Sequence, residues 1–279
     1  MNRDDFPVGT MCEVLQVSAS GYYAWRMRPV SARARANDAL EVEIRAIHRE
    51  SRQRYGSRKV CAKLRRQRRV NHKRVARLMR KNGLKSKRIS RRKFTTHSNH
   101  GLPVAPNRLN REFNAEQPNT KWVSDITYVP THEGWLYLAV VLDLFSRRVV
   151  GWAMQERMTR DLVIAAFEMA AKARGIVVKL LFHSDRGGQY ASNDFVDLLG
   201  LFEVTQSMSR AREVYDNAVM ESFFASYKAE CVPANGFETR AQAKSETFEY
   251  IEVFYNRQRL HATLDYRTPA EAEQAVGVA

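Results

Sequence analysis

The sequence predicts an α/β fold in two parts, a mixed-sheet domain preceded by a basic, all-helical region. Three observations carry this: positive charge confined to the first part of the chain, a pair of short helices with apolar inner faces, and a change from helical to strand periodicity near residue 120. The 279 residues, 44% hydrophobic and 10% aromatic, suit about two globular units. The longest nearly apolar runs, at residues 135–142 and 162–171, fall short of the roughly 20 residues that span a bilayer. No membrane contact is expected. No apolar export segment is seen near Met1. Cys12, Cys61 and Cys231 lie too far apart for a disulfide framework or a metal knuckle, so a cytoplasmic chain is expected.

Residues 1–112 hold 29 Lys/Arg against 8 Asp/Glu, whereas residues 113–279 hold 17 against 22. Between Glu50 and Glu112 lie 22 basic residues and no acid. Such a field attracts a polyanion and holds it by releasing condensed counterions, which makes nucleic acid the expected partner. A merely solvated cationic face is the alternative.

After an N-terminal segment over residues 1–35, Leu40, Ile44 and Ile47 recur at helical spacing and predict an amphipathic helix over residues 37–51. Val60 and Leu64 share one face of the next short helix. A turn falls at residues 68–70, and Asn71 is placed to cap a helix that turns Val75, Leu78 and Met79 inward until Gly83 closes it. Residues 36–92 therefore read as a helix-turn-helix DNA-binding region whose second helix enters the major groove. Its candidate DNA contacts are Arg58, Lys59, Arg65, Lys73, Arg74 and Arg77.

Residues 93–119, rich in Asn, Thr and Pro and without either period, read as linker. Strand patterns follow: KWVSDITYV, WLYLAVVLDLF and VVGWAM, separated by short turns, form a meander. A helix over residues 160–174, a strand VVKLLFHSD, a helix from Ser192 as its cap, and a short strand at 203–207 complete a mixed sheet. Trp122, Trp135 and Trp152 are expected in its core. A helix over residues 216–230 ends this domain, assigned to residues 120–235. Residues 236–279 form a C-terminal helix and a tail whose signature, Tyr255, Asn256, Arg257, Arg259 and His261, is expected to dock on the core.

Asp125 and Asp185 stand in apolar strands, where a lone carboxylate is costly to bury. Glu221 lies in a later helix, with 35 residues between it and Asp185. Three carboxylates from separate elements suit hard Mg²⁺ ions, and two such ions about 4 Å apart suit an in-line phosphodiester displacement. Pairing with arginines or helix capping would explain the same acids. Asp143 is expected to be structural, paired with Arg147 and Arg148, with a fourth metal ligand as the alternative. His183, two residues before Asp185 on the same strand face, is a candidate for a supporting position beside a metal, with a packed core histidine as the alternative.

RYGSRKVCAKLRR, PVAPN, DITYV, LDLFSRRVVGW, HSDRGGQY, YDNAVMESFF and YNRQRLHATLDYRTPAE occur in this order along nearly the whole chain. In this it resembles the orf-B transposases of the IS-three family of insertion sequences, relatives of retroviral integrases. The resemblance implies an RNase H-like catalytic core and places the family's two aspartates and one glutamate on Asp125, Asp185 and Glu221, both as catalytic residues and as ligands of two Mg²⁺ ions, with Mn²⁺ able to substitute. It also implies hydrolysis at the element's ends, transfer of the freed 3′-OH through a circular intermediate, and a DNA-end contact at Lys228. The implied partners are the element's terminal repeats, target DNA, further copies of this chain and the upstream orf-A product, in a bacterial, nucleoid-associated setting. A transposase-derived regulator without catalysis, or an RNase H-like nuclease, are the alternatives. Residues 211–214, before YDNA, depart from the family pattern.

Overall fold

The computed structural model describes residues 6–87, 102–175, 179–211 and 213–277. They divide into two compact units, Met1–Ser86 and Lys87–Ala279. Among the described residues no helix is long and apolar enough to cross a membrane.

The first unit is all helical: α1 (Val8–Val14), α2 (Ala19–Met27), α3 (Ala32–Glu50), α4 (Ser57–Arg65) and α5 (His72–Lys81). The first two helices were not legible in the sequence, and α2 is capped by Ser18, whose Oγ accepts from Gly21 N at 3.0 Å. Leu40, Ile44, Val60, Leu64, Val75, Leu78 and Met79 form the buried centre of the last three helices. Asn71 caps α5 by accepting from Lys73 N at 2.8 Å. Gly83, at φ +65°, closes it: Leu84 N donates to Met79 O and Gly83 N to Arg80 O, a left-handed stop that a residue without Cβ adopts at little cost.

The second unit is built on a five-stranded mixed sheet of β1 (Lys121–Thr131), β2 (Gly134–Asp143), β3 (Val149–Gln155), β4 (Leu181–Ser184) and β5 (Thr205–Met208), in the order β3-β2-β1-β4-β5. The meander β1-β2-β3 is antiparallel, and β4 and β5 join it in parallel. Strand β4 is four residues long, shorter than the apolar run before Asp185 suggested. Helices α6 (Arg160–Arg174) and α7 (Asn193–Leu201) cover one face, where Trp122, Ala139, Val141, Phe167, Phe182 and Phe195 share a core. Ser192 precedes α7, but its hydroxyl donates to Gln189 O rather than capping the helix.

Helices α8 (Ala218–Glu230) and α9 (Arg240–Phe248), with a π-helical continuation Glu249–Tyr255, cover the opposite face. Trp152 ties that layer down, donating to Glu252 and packing on Phe248. The tail docks as expected: Asn256 exchanges two hydrogen bonds with Val149, and Arg259 grips Glu230. A short helix α10 (Pro269–Gln274) follows, with Thr268 and Glu271 forming a reciprocal cap.

Two readings require correction. Trp135 is 55% exposed and Trp152 half-buried, so only Trp122 of the three lies in the core. The described part of the expected linker, residues 102–119, packs on the sheet domain as a strap. Val104 and Ala105 rest on the main core, Leu109 is buried, and the N–H groups of Arg108 and Leu109 both donate to Ser207 Oγ. An extended strap held by individual hydrogen bonds has no period to betray it.

Gly151 marks the tightest approach between layers. A Cβ there would lie 2.2 Å from Ala166 O and 2.7 Å from Ala170 N, both backbone atoms of α6. Gly151→Ala is expected to cost about 3 kcal/mol or abolish folding, read as a lowered urea midpoint.

Candidate active site

Strand pairing positions the two aspartates. Trp122 lies beside Phe182 and Val123 beside His183 in the parallel β1-β4 ladder, and the same offset extended past the end of β4 would set Asp125 level with Asp185, the residue after that strand. Adjacent strands lie about 4.8 Å apart, and side chains at equal level in a parallel pair point to one face. That face is the α8 side, because Asp125 pairs with Val140 and Val140 with Trp152. Asp125 Oδ1 accepts from Ile126 N at 2.8 Å and Asp185 Oδ1 from Gly187 N at 3.0 Å. Both charges reach the buried phenol of Tyr190, which donates to or accepts from Ser124 Oγ at 2.7 Å. Burial first, then Asp125 and Asp185, hold Tyr190 well above the ordinary tyrosine range.

The glutamate arrives on a helix pinned to the same strand. Asn217, the residue before α8, donates to Ser124 O at 3.0 Å, and α8 packs on β1. Glu221 follows Asn217 by four residues and so shares its face of the helix. Lys228, exposed, lies on that same face two turns further on.

A buried carboxylate that sequence reasoning did not weigh fixes the start of this helix. Asp216, in the 3-10 turn Val214–Asn217, has no exposed surface. It accepts from Arg210 through N, Nε and Nη2, from Arg111 Nε and from Asn107 Nδ2, at 2.7–2.9 Å. The hydrogen bond from Arg210 leads the causes that hold its carboxyl well below the usual range, against burial. The strap and the loop after β5 thus meet at the base of α8. The string YDNA contained Asp216 and Asn217, but nothing in spacing alone distinguished them. Arg212, in the atypical loop, lies outside the described residues, as does the side chain of Val214.

Asp143 is structural, but not through arginines. It pairs with Trp122 and so faces the α6 side, away from Asp125, and it accepts from the N–H groups of Asn119, Phe145 and Ser146 and from Trp122 Nε1. Arg148 instead binds Glu273, at 2.6 Å. His183 is fully buried, with Nδ1 2.8 Å from Ser207 Oγ and Nε2 3.3 Å from Ser209 Oγ; burial pushes its pKa down to about 4. It engages serine hydroxyls on neighbouring strand β5 and the residue after it.

In the helical unit, Arg58, Arg65, Lys73 and Arg77 are exposed. Lys59 and Arg74 are half-buried, Lys59 over the Tyr55 ring and Arg74 donating to Asn37 at 2.9 Å.

Asp125, Asp185 and Glu221 are all hard oxygen donors, the class Mg²⁺ takes. They sit on three separate elements and do not form a closed cage: among the described residues no three His, Cys, Asp or Glu side chains are gathered to hold an ion.

The chain matches the integrase core domain family over residues 115–213 and again over 221–275, and an HTH-like domain family over residues 35–94. It is 42% identical to the transposase InsF for insertion sequence IS3A of Escherichia coli, over 98% of this chain and 96% of that protein. It is equally 42% identical to an uncharacterized 31 kDa protein of insertion element IS600 of Shigella sonnei, over 93% of this chain and 96% of the relative. The catalytic core domain of HTLV-2 integrase, solved in complex with magnesium, is similar at 17% identity and a TM-score of 0.41, over 56% of this chain and 97% of that one. An HTH-like domain joined to an integrase core defines a DNA-binding transposase, a polynucleotidyl transferase of the two-aspartate, one-glutamate class. The chain belongs to the IS3 family of insertion-sequence transposases.

The depressed carboxyl of Asp216 has a sign for stability. A group bound more weakly by protons in the fold than in the unfolded chain stabilises above its unfolded pKa, about 3.9, and loses that contribution as pH falls below it. Asp216→Asn is expected to lose about 2 kcal/mol at neutral pH and to show a shallower acid limb below about pH 4, read by denaturation at a series of pH values.

Proposed function

We propose that Asp125, Asp185 and Glu221 are the catalytic carboxylates of this transposase and the ligands of two Mg²⁺ ions, with Mn²⁺ as a substitute. The observation that supports this is the β1-β4 offset, which extended past the end of β4 would set Asp185 level with Asp125, together with the anchoring of α8, the helix that carries Glu221, to Ser124 beside Asp125 in the chain. Bound Mg²⁺ supplies charge stabilisation for the attacking and leaving oxygens and lowers the pKa of a nucleophilic water. The chain's own residues present the oxygen donors from three elements and hold them in place through the sheet ladder and the Asp216 clasp. Lys228, on the Glu221 face of α8, supports a phosphate of the element's end. Water and then the freed 3′-OH serve as nucleophiles, so no covalent enzyme intermediate is required. Arg58, Lys59, Arg65, Lys73, Arg74 and Arg77 contribute DNA contacts from the helical unit, and the exposed Lys73 and Arg77 on α5 suit the groove-facing side. The working complex holds both ends with further copies of the chain and the upstream orf-A product, at the bacterial nucleoid.

Asp185→Asn is expected to keep terminal-repeat binding while losing strand cleavage by at least about 10³-fold on a labelled duplex with Mg²⁺; normal cleavage would overturn the carboxylate assignment. Arg77→Ala is expected to weaken duplex binding and reduce the log–log salt slope by about 0.9, measured by titration at several salt concentrations.

A further inference from the structure

A cavity of about 220 Å³ lies along a different flank of α8 from Glu221 and Lys228, lined by Arg147, Ser222, Ser226, Arg259, His261 and Thr263. Three strings of the sequence meet there. LDLFSRR supplies Arg147, MESFF supplies Ser222, and the tail YNRQRLHAT supplies Arg259, His261 and Thr263. The π-helical continuation turns Tyr255 into the wall, where its ring meets Phe223 and His261 edge-on. Docking the tail needs Asn256 and the Arg259–Glu230 pair, but it does not account for a cavity with guanidinium and hydroxyl groups around it.

The two arginines differ in how they are satisfied. Arg259 is neutralised by Glu230, through Nε and Nη2 at 2.8 Å, and also donates to Ser226. Arg147 Nη2 donates to Phe113 O at 3.0 Å, while Nη1 is buried and has no hydrogen-bond partner. Burial lowers the Arg147 pKa from its ordinary value, opposed by Tyr255 and then Asp143, and Asp143 is already held by four N–H donors. A buried cationic N–H without an acceptor is costly, and an anionic oxygen would offset that cost. The site therefore offers about one uncompensated positive charge, with the hydroxyls of the exposed Ser222 and Thr263 at its rim and apolar walls at Leu142 and Phe223. One negative charge spread over two oxygens, flanked by apolar sugar, matches that inventory.

We propose that this cavity seats a phosphodiester of the bound DNA, with Arg147 as its main contact and Ser222 and Thr263 as supporting donors. The proposal rests on DNA as the substrate and not on the carboxylate assignment. The test is duplex binding by the full chain, in EDTA, over a salt series, comparing wild type with Arg147→Met and Thr263→Glu. Reading binding without divalent metal separates this question from the catalytic one. Each variant is expected to bind about 5–10-fold more weakly, and Arg147→Met is expected to lower the log–log salt slope by about 0.9. Thr263→Glu lies at the exposed rim and brings a like charge to the phosphate, so it answers even where Arg147→Met fails to fold. Wild-type affinity and slope in both variants would overturn the proposal while leaving the transposase reading intact. A second arm adds inorganic phosphate to each protein. A rise in wild-type melting temperature that Arg147→Met removes, with DNA slopes unchanged, would assign the cavity to free phosphate and overturn the DNA assignment.

Discussion

The parallel pairing of β1 with β4 is the constraint on which the rest of the catalytic unit depends. It sets side by side, with backbone hydrogen bonds rather than with carboxylates, the strand that carries Asp125 and the strand that ends just before Asp185, sixty residues further along the chain. Two like charges at neighbouring levels repel. The ladder, the aromatic core beneath Trp122 and the close contact of α6 at Gly151 hold the strands themselves in register. A slip of one residue would send one aspartate to the α6 face, where Asp143 already points.

The third acid is held by a different device. Glu221 rides on a helix, and a helix can slide or rotate unless its end is fixed. Asn217 fixes it to the strand carrying Asp125, and Asp216, one residue earlier, binds it to the strap and to the loop after β5. The burial cost of Asp216 is offset by charge-assisted hydrogen bonds from two arginines that themselves stay partly in solvent. Such an arrangement gives directional rigidity at modest net gain in stability, which suits a part of the molecule whose position matters more than its depth.

Much of this was legible in the sequence, and the losses have physical causes. The meander and the helices α5 and α6 were readable because alternation and 3.6-residue spacing mark them directly. The family resemblance pointed to Asp125, Asp185 and Glu221, and the first two lie on β1 and directly after β4, strands that pair in parallel. Asp216 was hidden because its partners at 107, 111 and 210 come from segments without a period, so only folding reveals that they converge. Trp135 misled because burial preference is an average, and a tryptophan near a hairpin end can pack edge-on against Tyr128 while staying half in water. Asp143 misled because adjacent arginines suggested ion pairs, whereas a turn supplied N–H donors closer at hand.

The strap bears on how such proteins diversify. Residues 102–119 look like the hinge between a DNA reader and a catalytic body, yet they belong structurally to the body: Leu109 is buried in it and Arg111 and Asn107 bind Asp216. A recombination event that exchanged the reader by cutting at the change in sequence texture near residue 120 would carry off part of the support of α8. An exchange of the helical unit that leaves residues 102–119 with the sheet domain keeps Asn107 and Arg111 on Asp216, so this unremarkable stretch goes with the support of α8 rather than with the basic helices.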